Sequence, residues 1–256
     1  YLKSCRQQLL VLMKEATQQR KFEEIIEDEF LRVQSSSSKI AFCIVGLATI
    51  AKNELTIGEL QSVLKKISPD YDAVTALAEL GGIVEIGESG LIGRHEIYVR
   101  HVMDLLVTAE NLQSSLVGFL QHFVQFGQPV ISRLNKQRGN LFKFLLNADW
   151  VHETFRRKRA LDLAEAMYSA VELEYQRDGH YWLQRGLFYR KARKPENARD
   201  CLEKSIAAFP QNDYAQHALA QQKLMDAARH RIRTPVSERD VREAVAALER
   251  QDQRRG

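Results

Sequence analysis

Apolar residues recur at intervals of three and four along most of the chain, a spacing that predicts helices. Over residues 1–33 the stripe runs Leu2, Leu9, Leu10, Met13, then Phe22, Ile25, Ile26 and Phe30, with Glu23, Glu24, Glu27, Asp28 and Glu29 on the remaining face. The serines Ser35 to Ser38 interrupt it and mark a joint. A helix is expected from Lys39 to Ala51. Thr56 and Glu59 stand at capping-box spacing and open a second helix, from Ile57 to Lys66. Ser68-Pro69 offers a cap and a proline for a first helical position, so a third helix is expected from Asp70 to Leu80, where Gly81-Gly82 stops it. The β-branched stretch Ile83 to Ile86, the turn Gly87-Glu88-Ser89-Gly90 and an extended piece reaching Ile97-Tyr98-Val99 predict a two-stranded hairpin. A fourth helix is expected from near Arg100 through Leu106. Three helices followed by a hairpin is the order of a winged helix.

Beyond it, Leu112, Leu116, Phe119, Leu120, Phe123 and Phe126 line one face of an amphipathic helix that Gly127 and Pro129 end. The polar, glycine-containing stretch Asn135 to Asn140 is expected to be exposed. Between Gly179 and Asn212, Trp182, Gly186, Tyr189, Ala198, Leu202 and Pro210 fall at the positions of a tetratricopeptide repeat of about 34 residues, with Arg185 where leucine is usual. The small residues Gly186 and Ala198 would let two helix backbones approach, large residues would fill the gaps around them, and Pro210 would stop the second helix. Fainter copies lie upstream, at Val151, Phe155, Ala164 and Tyr168, and downstream, at Leu219 and Ala220. The alternative is an ordinary helical bundle. Ser237 and Asp240 make a cap-like pair before a last helix carrying Val241, Val245 and Leu248.

The expected fold is therefore mainly α, a winged helix with a small β-hairpin followed by a tetratricopeptide-like α-solenoid. Residues 1–34 form lid or linker helices, 35–110 the winged helix, 111–144 connecting helices, and 145–256 the repeats with a C-terminal cap.

Composition fits a sizeable core: 45% of the 256 residues are hydrophobic and 27% charged. No apolar stretch approaches the roughly 20 residues of a membrane span, and no signal-peptide succession is visible. The three cysteines, Cys5, Cys43 and Cys201, are odd in number and far apart, which supports neither a zinc site nor a disulfide framework and fits a cytoplasmic protein. The chain begins at Tyr1, and a further domain is expected before it. The net charge of +4 is uneven: residues 1–105 carry 12 basic and 15 acidic residues, residues 106–256 carry 25 and 18. The second part is the one expected to meet an anionic partner.

No phosphate loop, nucleophile elbow, HExxH or EF-hand pattern is present, so no catalytic residue is assigned and the chain itself is not expected to be an enzyme. The seven histidines are scattered and give no metal site. Arg100 and His101 are candidates for a phosphate contact, because they are expected in the first turn of a helix, where free N–H groups and the dipole favour an anion. The alternative is a helix-start histidine satisfied by the backbone. DNA binding is not expected: the third helix holds Asp70, Asp72 and Glu79 and no base. Two basic runs, Arg156-Arg157-Lys158-Arg159 and Arg190-Lys191-Ala192-Arg193-Lys194, recur at the repeat period, each at a turn between paired helices. Arg156, Arg157, Lys158, Arg190, Lys191 and Lys194 are candidate partner contacts, extended by Arg229, Arg231 and Arg233; solvated turns are the alternative.

The ordering, a winged helix entered after a helical lid, Arg100-His101 starting its last helix, then degenerate helical repeats, resembles the STAND class of signal-transducing NTPases. Gly179-His180-Tyr181-Trp182-Leu183-Gln184-Arg185-Gly186 is similar to the repeats of bacterial members tied to antiphage defence. The resemblance implies an ATP- or ADP-binding domain upstream, a winged helix closing over the nucleotide with His101 near the phosphate, repeats that sense a protein or peptide ligand, and homo-oligomerisation on release. Better-known relatives read Met-His-Asp where this chain has Arg100-His101-Val102. The other expectations are a helical-repeat scaffold without nucleotide control and a winged-helix transcription regulator.

Overall fold

The computed structural model describes residues 22–87, 89–229 and 235–253; the leading helix pattern of residues 1–21 lies outside them. The described residues form fourteen α-helices and one small antiparallel hairpin. They divide into two compact units between Gly118 and Phe119.

The first unit holds α1 (Phe22–Leu31), α2 (Ser36–Ile50), α3 (Ile57–Ile67), α4 (Ala73–Ala78), β1 (Val84–Ile86), β2 (Leu91–Gly93), α5 (Glu96–Leu105) and the start of α6 (Ala109–Phe123). Helix α2 lies at its centre. From Ile40 to Thr49 every one of its residues is buried, which is why this segment shows no polar face in the sequence. Ser35 caps it through Ser38 N–H, and α3 opens on the Thr56–Glu59 capping box. Thr49 Oγ1 donates to Val45 O and accepts from Gly93 N–H at 2.9 Å, tying the hairpin to the central helix. The strands pair Val84 with Gly93 and Ile86 with Leu91, after a turn in which Gly82 takes φ +81°.

Three boundaries differ from the sequence reading. Helix α2 begins at Ser36, not Lys39, so that of the four serines only Ser35 stays outside it, as its cap. The third helix begins at Ala73, not Asp70. Asp72 caps it, accepting from Thr75 N–H at 2.8 Å, and that contact holds its carboxyl below the usual range. Ser68 instead closes α3, its N–H bonded to Leu64 O. The last difference follows the hairpin, where Ile97-Tyr98-Val99 is helical rather than extended. His95 caps α5, with Nδ1 accepting from Ile97 N–H at 3.2 Å. Tyr98, Val99, Val102 and Met103 are buried at helical spacing.

The second unit takes in the end of α6, then α7 (Lys136–Leu146), α8 (Ala148–Arg157), α9 (Leu161–Ala170), the short α10 (Glu172–Tyr175), α11 (Gly179–Lys191), α12 (Pro195–Ala208), α13 (Asp213–Arg229) and α14 (Pro235–Gln253). The stretch Asn135 to Asn140 is largely exposed, as expected, with Gly139 alone buried, but it opens a helix: Asn135 caps α7 through Arg138 N–H at 2.9 Å. Helix α8 packs on α9 and α11, α11 on α12, α12 on α13, and α13 on α14.

The core of this unit is an aromatic series running Phe142, Tyr175, Tyr181, Tyr168 and Phe188, with successive ring centroids 5.3–6.2 Å apart. Each phenol of the series finds a carbonyl: Tyr168 donates to Leu146 O, Tyr175 to Leu120 O and Tyr181 to Tyr168 O, at 2.7–2.8 Å. Asp178 is fully buried and caps α11 through His180 and Tyr181 N–H, while its second oxygen accepts from Val130 N–H. At the other end Asp240 does not serve as a cap partner. It lies inside α14 and accepts from Arg199 of α12 at 2.7 Å; the Ser237 side chain is outside the described residues.

Candidate functional site

Helix α5 begins at Glu96, so Arg100 and His101 lie one turn inside it, not in its first turn. The N–H groups that favour an anion at a helix start therefore belong to residues before them. Both nitrogens of Arg100 that bond do so to Glu96 Oε1, at 2.8 and 2.9 Å on the same helix. His101 is turned toward α1, with Nε2 3.7 Å from Glu27 Oε1 and no hydrogen-bond partner. Arg94 reaches α1 in the same way, 3.2 Å from Glu29. A phosphate approaching His101 from this side would meet the Glu27 carboxylate.

The two basic runs occupy equivalent turns. Helix α8 ends at Arg157, Lys158 is its cap, and Arg159 takes φ +56°; helix α11 ends at Lys191, Ala192 is its cap, and Arg193 takes φ +59°. In each turn the same two bonds form. Arg159 N–H donates to Arg156 O and Ala160 N–H to Phe155 O, as Arg193 N–H does to Arg190 O and Lys194 N–H to Tyr189 O. This is the Schellman arrangement, with arginine where glycine is commonest.

The side chains of the runs are engaged differently. Arg156 and Arg157 share Glu153 of their own helix, at 2.9 and 3.6 Å, and Arg156 holds the Glu153 carboxyl below its ordinary range. Lys191 reaches Asp149 on α8 at 2.9 Å, and Lys194 pairs with Glu165 on α9. These two lysines thus tie one helix pair to the preceding one. Exposed ion pairs of this kind contribute little stability, and a partner can exchange them. Arg190 is different: Nη1 donates to the neutral Gln221 Oε1 at 3.1 Å, and no carboxylate among the described residues lies in ion-pair range of it. The Arg229 side chain, Arg231 and Arg233 lie outside the described residues.

Beside Arg190 the surface sinks into a depression of about 480 Å³ lined by Arg190, Lys191, Gln221, Leu224 and Met225. It lies between α11 and α13. The sequence marks its basic rim but not its apolar floor, because Leu224 and Met225 come from another helix.

Arg185 is the functional-type residue that sequence reasoning passed over. Its side chain is 9% exposed and its Nη1 donates to Glu172 at 2.6 Å and Tyr181 Oη at 3.0 Å. Nη2 donates to Ser169 Oγ, and the guanidinium lies 5.5 Å from the Trp182 ring centre. The signal was its departure from leucine at a core position. Every polar partner is internal, and Nε, which has none, is buried, so the cluster fastens α10 to α11 and offers no donor at the surface. Cys201 nearby is buried, which pushes its thiol up to about 11.

No described helix is long and apolar enough to cross a membrane. Comparison with protein-family profiles, curated proteins and solved structures gives no match.

Proposed function

We propose that this chain is the regulatory and sensing part of a STAND-type NTPase, with no catalytic activity of its own. The first unit is read as a winged helix that controls the nucleotide state of an ATP- or ADP-binding domain, and the second as tetratricopeptide-like repeats that bind a protein or peptide. One observation carries the repeat reading: Arg159 and Arg193 close two successive helix pairs 34 positions apart; it is this spacing that supports a repeat, since the turn itself, with its two backbone bonds and positive φ, also closes α2 at Lys52. Helix order followed by a short hairpin supports the winged-helix reading. In this proposal any phosphate contact at His101 comes from the imidazole, not from a helix end, and it requires Glu27 to withdraw.

The test is the nucleotide content of the natural full-length protein. Chromatography of the denatured supernatant should show retained ADP or ATP, and His101→Ala should lower it several-fold with the fold intact by circular dichroism. Protein that carries no nucleotide and binds none would remove the NTPase reading.

A second reading, a helical-repeat scaffold without nucleotide control, is favoured by a specific observation. Arg100 is held by Glu96 and His101 faces Glu27, so both nucleotide-contact candidates face carboxylates of their own unit. In that case the second unit binds a partner and nucleotide is irrelevant to it.

A further inference from the structure

We propose that the depression between α11 and α13 is a docking site for an acidic peptide segment, one in which a glutamate or aspartate stands beside an aliphatic side chain. This names the partner class for the sensing role proposed above and rests on it.

The chemistry is in the lining. Arg190 and Lys191 form the rim, Leu224 and Met225 the floor, and no acidic residue lines the depression. Of the arginines at the ends of α8 and α11, Arg156 and Arg157 already share Glu153, whereas Arg190 bonds only the neutral amide of Gln221. Gln221 is itself oriented, since its Nε2 sits 2.9 Å from His217 Nε2. Its Oε1 therefore faces Arg190 and steadies the guanidinium without neutralising it. A planar, charged guanidinium with donors to spare is suited to a carboxylate. Lys191 can supply a second cation by leaving Asp149, whose side chain is 75% exposed and returns to water at little cost.

The floor decides between classes of anion. Met225 is 40% exposed, and a thioether beside Leu224 accepts an aliphatic chain of variable shape. No aromatic ring lines the depression for a base to stack on, so a nucleic acid would find phosphate contacts only. The volume of about 480 Å³ matches a few side chains rather than a folded surface.

The probes are the set of hexapeptides built from glutamate and leucine alone, dye-labelled, with the matching lysine and leucine set and a single-stranded oligonucleotide as controls. Binding to the full chain is read by fluorescence anisotropy. Saturable binding is expected for glutamate–leucine members that contain both residues, weaker in higher salt. Arg190→Gln should weaken it about tenfold, the worth of one charged hydrogen bond, and Met225→Gln should weaken it while the salt dependence stays. Lys66→Gln, an exposed position of the first unit, should leave it unchanged. The proposal is overturned if no glutamate–leucine peptide binds, if the lysine set binds as well, if Arg190→Gln changes nothing, or if the oligonucleotide displaces the peptide at lower concentration. The readout needs no nucleotide, so failure of the NTPase reading and failure of this site are separate results.

Discussion

A Cβ placed on Gly186 would lie 2.9 Å from Leu202 Cγ and 3.2 Å from the carbonyl oxygen of Ala198. The absence of a side chain at Gly186 is what lets α11 and α12 close. Leu202 can shift a little, but the Ala198 carbonyl belongs to the helix. Gly186→Ala should destabilise the second unit by about 1–3 kcal/mol, the usual range for overpacking. Gly139, also inside a helix, is the contrast: its Cβ would meet only Ile131 Cδ1, at 3.7 Å. Gly139→Ala should stabilise by roughly 0.5–1 kcal/mol through helix propensity. Urea unfolding of the two variants should therefore move in opposite directions; equal shifts would refute the close approach.

Arg159 and Arg193 adopt a left-handed conformation in which a Cβ costs about 1–2 kcal/mol. Neither side chain is needed for the turn, because the bonds are made by backbone groups. Arg159→Gly and Arg193→Gly should each stabilise the unit by about 1 kcal/mol. Valine at either site should destabilise, since branching at Cβ adds to the strain. Thermal melts of the four variants check this.

Much of this architecture was legible because it rests on local chemistry. Thr56 and Glu59 satisfy each other's backbone groups within one turn, and the small residue at Gly186 records a close approach at a fixed spacing. The start of α4 was not legible, because two plausible caps stood four residues apart and the charged acceptor at Asp72 prevailed over Ser68. The start of α5 was missed because histidine is an uncommon cap and the β-branched residues around Tyr98 suit a strand equally well. That error moved Arg100 and His101 into a first turn they do not occupy. Glu172 beneath Arg185, and the floor beneath Arg190, depend on which helices meet, and no spacing within one helix records that.

The ion pair between Arg199 and Asp240 fastens the last helix to α12 at 2.7 Å, with Asp240 buried and Lys223 3.7 Å away. The Arg199 hydrogen bond holds the Asp240 carboxyl below its ordinary 3.8. A depressed carboxylate contributes stability above its unfolded pKa and loses it as the pH falls through the lower folded value. Asp240→Asn should destabilise the wild-type protein at neutral pH by about 1–3 kcal/mol, and the difference between variant and wild type should shrink as the pH is lowered below 3.8. Hydrogen exchange over residues 235–253 should report the loss first.

His180 is expected to impose a second pH dependence, nearer neutrality. It stands in the first turn of α11 with its ring 6.1 Å from Phe142, and its Nε2 is buried without a partner. Burial is the main force pulling its pKa below the ordinary 6.5; Lys143 acts in the same direction, and Asp178 opposes both. The folded state therefore favours the neutral ring. Stability from this group is complete above 6.5 and falls as the pH drops below it toward the lower folded value, because the unfolded chain takes up the proton first. His152, also pulled down by burial and by Lys191, has the same sign. His180→Gln removes one titrating group, so its unfolding free energy should decline less than that of the wild type between about pH 7.5 and 5.5, the range in which a histidine charges. Urea titrations at both pH values measure the difference. An unchanged slope in His180→Gln, with His152 intact, would show that the ring is solvated in the folded protein.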